Sequence, residues 1–322
     1  MTSQLERRVL GRTGLEVSVM GLGSGGPSQL GQRRGTDVEA VRRLVSKGLE
    51  HGINFIDTAP GYGSSEPLLG EAMQGLQRDN LVMCSKFNPF DPDGEVHSEG
   101  ALRTSLEQSL EQLRTDYLDM FYLHAPPAGT LVAVMNKFEG ELRQAVDDGL
   151  IRFTGVSEQY FADHGHETVI QGITDFDFDV VMVGYNMLSP SARSTVFPLA
   201  DAKGVGVVIM CAVRGVIADP IRLESVIRNW VKNGWIESSA VPESGPLDWL
   251  LDEADTIAAA AYKFAVEPDA VGCVLTGTAS PSHLAENVAA ISGSPLTHAS
   301  IDRLLTLFGA VGRNVGPADA SE

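Results

Sequence analysis

Apolar runs alternate with amphipathic segments from about residue 17 to residue 291, the pattern of repeated βα units whose strands are buried on both faces. The apolar runs end near Gly23, Asp57, Lys86, His124, Ser157, Asn186, Cys211 and Thr276. Most successive ends are separated by roughly 25 to 40 residues, about what one strand, one helix and two loops consume. Eight such units predict a single (β/α)8 barrel, an α/β fold occupying residues 1–322 as one domain. Helical spacing is plain over 98–114, where Leu102, Leu106, Leu110 and Leu113 form an apolar face while Glu107, Glu111 and Arg114 stay wet. Ser280 followed by Pro281 supplies an N-cap and a first-turn proline for a late helix.

Two segments interrupt the repeat. Residues 6–16 precede the first barrel strand, and Gly11-Arg12-Thr13-Gly14 predicts the turn of a β-hairpin able to plug the barrel's bottom. Residues 214–249, after the seventh barrel strand, form a long loop expected to rise over the active face. This insertion holds all three tryptophans, Trp230, Trp235 and Trp249. They read either as a substrate-binding wall or as aromatic area that docks the insertion on the barrel. Residues 316–322 read as a flexible tail. No repeat of fixed period is evident.

Composition narrows the partners. The chain has 322 residues, 43% of them hydrophobic, and a formal net charge of -18. So acidic a surface argues against nucleic acid and anionic membranes and favours a small-molecule substrate. Cys84, Cys211 and Cys273 are widely separated in apolar runs and read as buried thiols of a reducing cytoplasm. The opening residues show no signal peptide, and no apolar run approaches the ~20 residues of a membrane span, so a soluble cytoplasmic protein is expected.

The chemistry gathers at the ends of the second, third and fourth barrel strands. Asp57 and Tyr62 lie in Asp57-Thr58-Ala59-Pro60-Gly61-Tyr62, Lys86 ends Val82-Met83-Cys84-Ser85-Lys86, and His124 ends Phe121-Tyr122-Leu123-His124. Strand ends of a parallel barrel share one face, so these four side chains can meet. Carbonyl reduction by hydride needs a proton for the developing oxyanion, which the Tyr62 phenol can give if a neighbouring ammonium lowers its pKa. Lys86 would supply that charge and Asp57 would hold Lys86. His124 would orient and polarise the carbonyl.

These residues resemble the Asp, Tyr, Lys and His tetrad of the aldo-keto reductases, and the likeness extends from Leu10-Gly11-Arg12-Thr13-Gly14-Leu15 and Met20-Gly21-Leu22-Gly23 to Glu286-Asn287. The resemblance implies a (β/α)8 barrel that takes an extended nicotinamide cofactor, NAD(P)(H), without a Rossmann domain or a metal. It also implies cofactor contacts at Gly23, Asp57, Ser157, Met182, Gly277, Thr278, His283, Glu286 and Asn287. Ser157 matches the serine that grips the carboxamide, but Glu158 stands where the family usually has Asn, and Met182 where many members have Gln. Met210-Cys211-Ala212 lacks the aromatic that often stacks on the nicotinamide. Glu286 and Asn287 match the adenine-binding pair. Gly277 and His283 replace cations that neutralise the 2′-phosphate in many NADPH-preferring relatives, which tilts the expectation slightly towards NAD.

Two other motifs compete. Gly21-Leu22-Gly23-Ser24-Gly25-Gly26 fits G-x-G-x-x-G, but the continuation through Pro27 to Gly35 reads as a loop and not as the opening helix that a Rossmann fingerprint requires. His164-Gly165-His166-Glu167 offers metal-ligand types without partners at a metal spacing, and reads as a solvated loop. The sequence thus predicts an enzyme that interconverts a carbonyl (aldehyde, ketone or sugar) and an alcohol. The alternative is a cofactor-binding regulatory or interaction protein on the same barrel with little turnover.

Overall fold

The computed structural model describes residues 5–315, so the expected flexible tail at 316–322 lies outside the described residues. The chain opens with a two-stranded antiparallel hairpin, β1 (Arg7–Val9) and β2 (Glu16–Ser18). Eight parallel strands follow: β3 (Met20–Gly23), β4 (Phe55–Asp57), β5 (Val82–Phe87), β6 (Leu118–Leu123), β7 (Ile151–Ser157), β8 (Val180–Gly184), β9 (Gly206–Met210) and β10 (Val271–Thr276). Each pairs with the next, and β10 pairs with β3 to close the barrel.

Both faces of the strands are covered, as a parallel sheet demands. Every residue of β4, β5, β6 and β8 is buried. One face packs on the helices, for example Leu102, Leu106, Leu110 and Leu113 of the helix Ala101–Leu113. The other fills the barrel with Phe55, Val82, Cys84, Met120, Tyr122, Met182, Val208 and Cys273. Tyr122 fits there because its neighbour on β7 has no side chain: a Cβ at Gly155 would sit 2.5 Å from the Tyr122 ring.

The hairpin plugs the bottom, with Leu10, Leu15 and Val17 joining the interior cluster. Thr13 fixes its turn, since Thr13 Oγ1 donates to Leu10 O at 2.6 Å and accepts from the Leu15 amide at 3.1 Å. Gly14 closes the turn at φ +68, a left-handed conformation suited to glycine.

The insertion after β9 differs from the expected loop. Asp219 caps the amides of Ile221 and Arg222, and Pro220 stands at the first helical position, so a helix forms over Pro220–Lys232. Two 3-10 turns follow, Ser238–Ala240 and Asp248–Asp252. The tryptophans dock this segment on the body of the protein. Trp230 is buried edge-on against Phe308 at 6.0 Å, and Arg303 lies 4.3 Å above Trp249. Arg313 lies over Trp235 at the same distance of 4.3 Å.

Candidate active site

At the C-terminal mouth of the barrel the ends of β4, β5 and β6 bring together the four predicted side chains. Lys86 is fully buried and donates from Nζ to Asp57 Oδ1 at 2.6 Å and to the Thr58 carbonyl at 2.8 Å. Its Nζ lies 4.9 Å from the centre of the Tyr62 ring. Tyr62 Oη lies 3.4 Å from His124 Nε2, the rings meeting edge-on at 5.5 Å. A carbonyl oxygen placed against Tyr62 and His124 would therefore meet a phenol and an imidazole together.

Burial would push the Lys86 ammonium down, but the adjacent Asp57 and Tyr62 outweigh it and its pKa is raised. Lys86 is therefore held as a cation. For Tyr62 the balance differs from the sequence expectation. Burial is the largest influence and raises the phenol above its ordinary 10, and the Lys86 charge offsets this only in part. The net effect keeps Tyr62 protonated, because removing the phenol from water disfavours the phenolate more than one ammonium favours it. His124 is pushed down to about 3, by burial first and by Lys86 second, so its ring is neutral at physiological pH.

Two residues on the loop after β3 shape this site, and the sequence reading missed both. Gly25 lies against the phenol: a Cβ there would come within 2.7 Å of the Tyr62 ring. Gln32 reaches across to the Tyr62 segment, donating from Nε2 to Tyr62 O at 3.0 Å and to Ser65 Oγ at 2.9 Å, while its Oε1 accepts from the Ser64 amide at 2.8 Å. The glycine cluster at 21–26 was a signal of close backbone approach; nothing local in the sequence marks Gln32.

From this corner a long open cleft of about 1500 Å³ runs across the barrel mouth, larger than the ~300–1,000 Å³ of an ordinary small-molecule pocket. Of the expected cofactor residues, Gly23, Asp57, Met182, Gly277, Thr278, His283, Glu286 and Asn287 line it. The far end has the predicted cap, with Ser280 accepting from the His283 amide at the start of the helix Pro281–Ser292. Asn287 donates to Thr276 Oγ1 at 2.9 Å. Gly25, Gly26 and Gly277 leave the cleft without side-chain bulk, and Ser28 Oγ is buried there with no hydrogen-bond partner among the described residues. An extended polar ligand such as a dinucleotide fits this combination of length, glycine cradle and unanswered donor. Arg214, stacked over Phe161 at 4.7 Å, lines the same cleft.

Three positions differ from expectation. Ser157 is buried and its Oγ accepts from the Ala125 amide at 2.9 Å, so this hydroxyl is engaged in holding the end of β6. The 164–167 stretch is no solvated loop at His166, which is fully buried between Glu158 (Nδ1 to Oε2, 2.8 Å) and Ser191 (Nε2 to Oγ, 2.8 Å). Glu158 also accepts from the Gly184 amide at 2.8 Å. Both Glu158 oxygens thus answer protein groups, which explains a carboxylate at this position. Cys84 and Cys273 are buried as expected, but Cys211 is half-buried and borders the cleft, with burial pushing its thiol up to about 11.

The chain matches the sequence pattern of the Aldo/keto reductase family over residues 19–307. It is 29% identical over 314 residues to L-galactose dehydrogenase of Arabidopsis thaliana, covering 90% of this chain and 89% of that protein. It is 26% identical over 321 residues to the NADH-specific methylglyoxal reductase of Escherichia coli, covering 88% and 92%. A solved aldo/keto reductase from Klebsiella pneumoniae, in complex with NADP and acetate, shares the fold with a TM-score of 0.67 at 23% identity, over 94% of this chain and 95% of that one. With the family pattern spanning nearly the whole barrel, the chain belongs to the aldo/keto reductases and is an NAD(P)-dependent oxidoreductase.

Proposed function

We propose that this chain interconverts a small carbonyl compound (an aldehyde, ketone or sugar) and the corresponding alcohol, with Tyr62 as the general acid in reduction and general base in oxidation. The observation that carries the reading is the partly buried phenol 3.4 Å from a neutral imidazole and beside an ammonium held by a carboxylate. The bound nicotinamide would supply or accept the hydride.

Tyr62 keeps its proton at neutral pH because burial disfavours the phenolate. As negative charge grows on a substrate oxygen, that proton moves to it, and the phenolate left behind faces the Lys86 charge. Lys86 thus stabilises the product of proton transfer, and Asp57 holds Lys86 in place. His124 remains uncharged and can orient the oxygen through Nε2 without competing for the proton.

For the cofactor, Gly277 and His283 offer no permanent cation at the start of the late helix, which favours NAD, as does similarity to a reductase named NADH-specific. The NADP-bound relative points the other way. The test is a steady-state assay on aldehydes, ketones and sugars, in both directions and with both cofactors, for wild type and Tyr62→Phe. The variant should retain cofactor binding and lose about 10²-fold or more in turnover. Unchanged turnover at saturating substrate would remove Tyr62 from the mechanism, and cofactor binding without turnover of any substrate would favour a regulatory role.

A further inference from the structure

We propose that Arg33 and Arg34, on the loop between β3 and the helix Val38–Glu50, bind a phosphate of the dinucleotide, a contact that rests on the cofactor-dependent reading above. Both line the cleft together with Gly277, Ser280 and His283. The two walls are in close approach: a Cβ at Gly31 would lie 3.1 Å from Ala279 Cβ, and one at Gly277 would lie 3.6 Å from Ser28 Oγ.

The charge is available. The protein carries 42 acidic against 24 basic residues, and many of its arginines are tied up in ion pairs. Arg33 and Arg34 are exposed and make no ion pair or side-chain hydrogen bond among the described residues. Asp248, Asp255 and Glu286 also line the cleft, so an anionic ligand needs a local cation to offset them. The late helix supplies none at Gly277 or His283. The first loop supplies two.

The loop is also built for the purpose. Gln32, immediately before the pair, is fixed by its hydrogen bonds to Tyr62, Ser64 and Ser65. The two guanidinium groups therefore leave an anchored backbone, and less freedom is lost when they engage a phosphate. Ser28 Oγ, buried on the same loop without a partner among the described residues, adds a neutral donor to the same wall. Guanidinium groups suit phosphate because their fork of N–H donors matches its oxygens.

The phosphate has two sources on one ligand, the pyrophosphate common to both cofactors and the 2′-phosphate of NADP. Binding of NADH and NADPH to the full-length protein, followed by nicotinamide fluorescence at low and high salt, separates them. Arg33→Ala/Arg34→Ala should raise Kd about tenfold or more and flatten the salt dependence, with an unchanged unfolding midpoint. A loss confined to NADPH assigns the 2′-phosphate, and a loss shared by NADH assigns the pyrophosphate. Dissociation constants within twofold of wild type for both cofactors would overturn the proposal. Wild-type protein that binds neither dinucleotide would overturn the cofactor-dependent reading and this contact together.

Discussion

Gln32 restrains Tyr62 from a separate loop, its side-chain amide donating to the Tyr62 carbonyl at 3.0 Å. Proton transfer is sensitive to displacements of an ångström or less, so under the proposed role of Tyr62 this restraint bears on turnover more than on folding. Gln32→Ala is expected to lower kcat about tenfold with substrate KM little changed, and rescue by Gln32→Asn should be poor because the shorter side chain cannot span the gap. Steady-state kinetics alongside thermal unfolding checks it; a kcat equal to wild type would reduce Gln32 to a packing residue.

Gly25→Ala tests the same geometry from the other side. The added methyl would lie 2.7 Å from the Tyr62 ring, so the ring must move. Turnover should drop by at least the amount seen for Gln32→Ala. Full activity in this variant would mean that the phenol occupies another position during catalysis.

The pH profile has a distinctive expected shape. If reduction draws its proton from Tyr62, as proposed, the raised pKa of the buried phenol means that the rate should hold from neutral pH and fall only in strongly alkaline solution. With His124 pushed down to about 3, no acidic limb near pH 6.5 should arise from it. Stability moves with the same histidine. Its folded pKa lies below the unfolded 6.5, so between those values the unfolded chain binds more protons and the native state loses stability as pH falls. Urea melts from pH 7 to pH 4 should show a shallower decline for His124→Asn than for wild type. Equal slopes would place the histidine in a more hydrated setting.

Asp57→Asn leaves the Lys86 ammonium buried without its counter-charge. Removing one partner of a buried pair costs about 3–5 kcal/mol, so the urea midpoint should fall sharply and turnover with it. Asp57→Asn/Lys86→Met should recover part of the stability and none of the activity. A double variant less stable than the single one would show that Lys86 contributes more through packing and its bond to Thr58 O than through charge.

Glu158→Asn introduces the residue that the family resemblance implies at this position. Because Glu158 is engaged by His166 and by the Gly184 amide, the change should cost about 1–3 kcal/mol and leave cofactor affinity no tighter. A tenfold gain in affinity, measured by fluorescence titration, would contradict the structural role assigned to this carboxylate.

Features that repeat or sit at strand ends were legible in the sequence. The eight apolar runs, the hairpin turn at 11–14, the Ser280 cap and the four polar side chains at the ends of β4, β5 and β6 follow from local periodicity and strand polarity. What escaped depends on long-range pairing. Gln32 meets Tyr62 thirty residues away, and His166 is buried only because Glu158 and Ser191 converge on it. The direction of the Tyr62 shift also escaped: proximity of Lys86 could be inferred from strand order, but the opposing cost of burial depends on how tightly the loops cover the phenol.

The loop after β3 has one further consequence. Gln32 holds the Tyr62 segment, and the next two residues face the cleft. A graft of this loop from a relative would transplant both as one module. Variants selected for a change of cofactor would then carry altered turnover as a by-product, and recovering it would require second-site changes at the Tyr62 end of the cleft, away from Arg33 and Arg34.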